Sequence, residues 1–88
     1  MVGQVPVRPE PNLTAMRIAF STKRKAGRLT YEDVAEISGI ARRTVQRLET
    51  GEREGNLKTW FYLANAVDLQ FSTLVSSLYD EPAPDGDD

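Results

Sequence analysis

The chain has no cysteine and no histidine. The first absence excludes disulfides, thiolate nucleophiles and cysteine-bound metals. The second removes the commonest general base and metal ligand. No apolar run approaches the roughly 18 residues of a membrane span, and no signal-peptide pattern opens the sequence. A cytoplasmic protein without a membrane partner is the expectation. No glycine-rich phosphate loop, internal repeat or nucleophile–base pair is present either. Neither an enzyme, a cofactor nor a small-molecule effector is therefore expected.

What is present is one small domain's worth of sequence, 88 residues, near the lower end of what sustains its own core. The net charge is −2 and the pI about 5.1. Such a balance looks wrong for binding a polyanion, but the charges are unevenly placed. Five acids stand in the last nine residues, whereas Asn12–Tyr79 carries ten Lys or Arg against seven Asp or Glu. Positive residues gather at Lys23, Arg24, Lys25 and Arg28, and again at Arg42, Arg43 and Arg47.

Thr30 to Gly51, TYEDVAEISGIARRTVQRLETG, organises the chain. Thr30 followed by Asp33 is a capping-box spacing, and Leu29 with Val34 can form a hydrophobic staple. The helix runs through Val34, Ala35 and Ile37 to Gly39, a residue suited to the left-handed stop. Ile40 and Ala41 remain before a second helix, Arg42 to about Thr50. At about 100° per residue, Arg42, Gln46, Arg43 and Arg47 share an arc of about 140°, with Val45 and Leu48 opposite. Arginine forks suit guanine edges and phosphates, and glutamine suits adenine. On an isolated helix such a face is more simply a solvated one. The capped helix and tight turn before it shift the balance toward a helix-turn-helix.

The segment resembles the phage lambda-repressor/Cro-type helix-turn-helix family of regulators. Leu29-Thr30, Val34-Ala35, Gly39-Ile40, Thr44-Val45, Leu48-Glu49 and Gly51 carry the resemblance, which extends from about Leu13 to Leu78. It implies a compact, all-α, five-helix domain binding double-stranded DNA. Two positions depart from the family pattern. Tyr31 stands where a phosphate-contacting glutamine is frequent, and Ala41 replaces a Ser or Thr cap. The resemblance also implies that Arg24 and Glu49 form a pair, and that the helix 5 region forms a dimer contact.

Around this motif, residues 1–11 contain three prolines and are expected to form a flexible arm; the domain should span 12–79 and an acidic disordered tail 80–88. Helix 1 should start at the cap Asn12, bury Leu13, Met16, Ala19 and Phe20, and end near Ala26. Lys23, Lys25 and Arg28 suit phosphates and solvent equally. Asn56 should cap helix 4, with Leu57, Trp60, Leu63, Ala64 and Val67 as its stripe and Phe61 and Tyr62 at the flank. Its free N-terminal N–H groups suit a phosphate. Ser72 should cap helix 5, with Phe71 in the connection before it.

The sequence thus leads to a DNA-binding transcriptional regulator, a repressor on a palindromic operator bound as a homodimer. Arg42, Arg43, Gln46 and Arg47 are the expected base-edge and phosphate contacts. Thr30, Tyr31, Thr44, Arg53 and Asn56 are further phosphate candidates, and Phe71 is the dimer candidate. The alternative is a protein-interaction module or antitoxin-type partner on the same fold.

Overall fold

Asn12 opens the first helix by accepting a hydrogen bond from the Ala15 N–H at 2.9 Å. The computed structural model describes residues 10–81; residues 1–9 and 82–88, which hold most of the expected arm and tail, lie outside the described part. Five α-helices follow in order: α1 (Leu13–Ala26), α2 (Tyr31–Ser38), α3 (Arg42–Thr50), α4 (Leu57–Ala66) and α5 (Phe71–Ser76). A 3-10 turn, Ser77–Tyr79, extends α5. The described residues are all-α, as expected.

The capping box of α2 is complete. Thr30 Oγ1 accepts from the Asp33 N–H, and the Asp33 carboxylate accepts from the Thr30 N–H. Gly39 ends the helix in the left-handed region at φ 79°. The three residues Gly39, Ile40 and Ala41 then turn the chain into α3, which has no side-chain cap.

The core is one cluster. Phe20, Val34, Val45, Leu48, Leu63 and Leu74 are fully buried, one or two from each helix. Trp60 meets Phe20 edge-on at 5.7 Å, and its indole N–H donates to the Glu54 carbonyl at 2.8 Å. Burial satisfies the indole's single donor, so Trp60 is a core residue. The two ends of the fold also meet. The Asn12 N–H donates to the Leu78 carbonyl, and the Asn12 side-chain amide donates to that of Asp80.

Two expectations, one apolar and one of capping, differ from the structure. Leu57, expected in the buried stripe of helix 4, is 70% exposed. Leu57 is the first residue of α4, where the Cα–Cβ bond leans off the N-terminal end of the helix and past its packing partners. Ser72 caps nothing: α5 begins one residue earlier, at Phe71, behind Gln70. Extended backbone at Gln70 is enough to start this helix, and it brings Phe71 into it.

Gly55 and Gly39 give a controlled comparison. Both have positive φ, 77° and 79°, which L-residues enter only with strain. A Cβ at Gly39 would meet nothing within 4 Å, whereas one at Gly55 would lie 2.6 Å from Leu48 Cδ2 and 3.1 Å from Trp60 Nε1. Gly39→Ala should therefore cost about 1 kcal/mol, from backbone strain alone. Gly55→Ala should cost visibly more, about 2 kcal/mol, because it also pushes into the core. Urea midpoints of the two variants test this; equal losses would mean that the loop at Gly55 yields freely.

Candidate nucleic-acid interface

The arginine-rich helix is seated by its opposite side. Val45 and Leu48 enter the core, so the other side of α3 must face outward. Arg42, Arg43 and Gln46 are exposed there. The fourth member of the arc differs. Arg47 is half-buried and its Nε lies 3.6 Å from Glu52 Oε1 across the C-terminal turn. An exposed pair of this kind holds weakly, on the order of 0–1 kcal/mol. It nonetheless draws Arg47 toward the loop and leaves Arg42, Arg43 and Gln46 as the open part of the face.

The one acid of α3, Glu49, points inward, where it organises a polar hub. Arg24 of α1 donates to it twice, from Nε at 2.7 Å and from Nη2 at 2.8 Å. Ser21 and Tyr31 add their hydroxyls, each at 3.1 Å to Oε2. The third arm of Arg24, Nη1, donates to the Leu29 carbonyl at 2.8 Å. The Arg24 and Glu49 side chains are 11% and 9% exposed. The hub therefore ties α1, the start of α2 and the end of α3 together and fixes the angle at which the arginine face is presented. Burial pushes the Glu49 carboxyl up, but the hydrogen bonds and charge of Arg24, with those of Tyr31 and Ser21, outweigh it. Its pKa ends below the ordinary carboxylate value. Burial, then the bond to Glu49, pushes the Tyr31 phenol up, while the hydrogen bond to Glu49 raises Arg24.

The second-rank candidates are scattered around this face. Thr44 is half-buried, on the side of α3 between Arg47 and Leu48. Thr30 is exposed, but its oxygen already serves the capping box, and Glu32 and Asp33 put negative charge in the first turn of α2. Tyr31 gives its only donor to Glu49, so that proton is not free for a phosphate. Arg53 is exposed in the loop after α3. Asn56 caps α4 by accepting from the Thr59 N–H at 2.8 Å, and the first turn of α4 carries no acid. Of the two helix starts, α4 is thus the better suited to an anion. Lys23, Lys25 and Arg28 are all exposed.

The family resemblance implies the Arg24–Glu49 pair but not the part of Ser21, and Tyr31, a phosphate candidate by sequence, meets a carboxylate instead. Both hydroxyls are ordinary surface residues by pattern, and their partner lies 28 and 18 residues away. Phe71, the dimer candidate, is half-buried and packs edge-on against Phe61 at 5.5 Å. Phe61 is 44% exposed and Tyr62 41%, so with Leu57 they leave an apolar strip along the outer side of α4.

The family model described as Helix-turn-helix matches residues 21–74, which spans the second half of α1 through most of α5. Comparison with curated proteins and with solved structures gives no significant match.

Proposed function

Because the chain belongs to the lambda-repressor/Cro-like helix-turn-helix family of DNA-binding transcription regulators, we propose that it represses transcription by occupying a palindromic operator as a homodimer. One observation carries the reading: Arg42, Arg43 and Gln46 stand exposed on the first turns of a helix whose single acid is folded inward. Residues near the start of a recognition helix go deepest into the major groove. Arg42 and Arg43 are assigned to base edges, Gln46 to an adjacent base, and Arg47, turned toward Glu52, to the backbone. Asn56 and Arg53 flank the groove as phosphate contacts; Thr30 and Thr44 rank below them, and Tyr31, whose proton is given to Glu49, is set aside. Selection from a random DNA pool tests this. Enrichment of a two-fold symmetric sequence is expected, and no enrichment would sink the reading.

A single module this small covers limited DNA, so two copies are needed for useful specificity. The strip of Leu57, Phe61 and Tyr62, with half-buried Phe71 packed against Phe61, supports self-association. Sedimentation over a range of concentrations, with and without operator, should show a dimer at least on DNA. One protein per site throughout would rule it out. The same strip also favours a second reading, a protein-interaction module or antitoxin whose partner covers α4. A protein that remains monomeric and selects no DNA would point there.

A further inference from the structure

The ring of Tyr31 is held from several sides. Its hydroxyl is bonded to Glu49, and the Arg24 guanidinium lies over the ring at 4.4 Å from its centroid. Arg24 is itself fixed by Glu49 and by the Leu29 carbonyl. The ring is thus a rigid platform, half-buried at the start of α2. A second guanidinium approaches it. Arg42, the first residue of α3, has its guanidinium carbon 6.0 Å from the same centroid. Among the described residues Arg42 makes no ion pair or side-chain hydrogen bond, so the ring is the partner its head group finds. Two cations on one ring would ordinarily repel. Here Glu49 neutralises Arg24, which leaves the electron-rich ring free to attract Arg42.

We propose that Tyr31 is a positioning residue, a fixed aromatic platform that pre-orients Arg42 for the DNA groove. This rests on the assignment of α3 as the DNA-reading helix. A long side chain ordered before binding loses less rotamer freedom on contact, so its discrimination between bases improves. Arginine stacks on aromatic faces through its flat, weakly hydrated head group, which a lysine would not reproduce. Among the described residues neither Arg43 nor Gln46 has such a platform. The phenol at this position thereby acts on sequence reading without touching DNA.

The test has two arms. In the free protein, ring-current shifts of the Arg42 side-chain protons should be present in the parent and in Tyr31→Phe, and lost in Tyr31→Leu. On DNA, Arg42→Ala and Tyr31→Leu are combined in a double-mutant cycle on the selected operator and its single-base variants. Tyr31→Leu should reduce discrimination at the base pair read by Arg42 about two- to fivefold. It should have no such effect once Arg42 is already Ala, and Tyr31→Phe should keep the parent's discrimination. Additive effects, or Arg42 shifts unchanged in Tyr31→Leu, would overturn the proposal. If Arg42→Ala and Arg43→Ala both leave binding to every DNA unchanged, the recognition-helix assignment falls, and the role of Tyr31 with it; a neutral Arg42→Ala beside a costly Arg43→Ala overturns the platform alone. Additivity beside a costly Arg42→Ala removes the platform alone.

Discussion

Replacing Glu49 with alanine should cost about 3 kcal/mol of folding stability, the largest effect expected of any polar residue here. The carboxylate accepts two bonds from Arg24 and one each from Ser21 and Tyr31. Its loss leaves a guanidinium that is almost enclosed and has lost its counter-charge. The pair is a tenth exposed rather than sealed, so the low end of the range for buried pairs applies. Arg24→Ala should cost less than Glu49→Ala, since Glu49 then keeps two hydroxyl donors. In the double-mutant cycle the pair should show clear coupling by urea unfolding; a coupling of zero would mean that the pair adds nothing beyond its parts. The same carboxylate predicts a pH effect. Its folded pKa lies below its unfolded value, so its contribution is fully present above the unfolded pKa and is lost as pH falls through the folded pKa. Glu49→Gln should remove that acid-side loss. An unchanged acid limb in Glu49→Gln would place the titrating group elsewhere.

The second large effect is on DNA. Arg43→Ala should cost about 1–3 kcal/mol on the selected operator and relax preference at one base pair per half-site. Arg47→Ala should behave differently, because its head group already leans toward Glu52. It should weaken all sequences alike and flatten the salt dependence, the signature of a phosphate contact. Binding of both variants to each single-base operator variant separates the two roles. If Arg43→Ala keeps the parent's rank order and spacing, Arg43 does not read sequence. If it leaves overall affinity intact as well, the exposed face of α3 is not the DNA surface.

The caps at Asn12, Thr30 and Asn56 were legible in the sequence, because each joins residues three apart. The stop at Gly39 was legible for a similar reason: its conformation is a local need. The helical periodicity also placed Phe20, Val45, Leu48, Trp60 and Leu63 in the core. It failed at Leu57, because a stripe names a direction and not what lies there; Leu57 leans beyond the end of its packed layer. The arginine face could be drawn from angles alone. Arg47 turns to Glu52 across one local turn, but that Tyr31 serves Glu49 and approaches Arg42 depends on how three helices meet. No window of sequence contains that geometry. The start of α5 at Phe71 escaped because Gln70 makes no side-chain cap to announce it.

The hydrogen bonds from Asn12 to Leu78 and Asp80 set an order of events during synthesis. The pair α2–α3 is contiguous and needs little loop closure to form. The start of α1 has its partners 66 and 68 residues downstream. Until those carbonyls have been made, the first turn of α1 lacks the partners that anchor it, although the rest of the helix can already pack. The hub at Glu49 can assemble once α3 has emerged, but the N-terminal end of α1 stays open until the final turn is made. The domain therefore closes only once Leu78 and Asp80 have been made, whatever has folded before them.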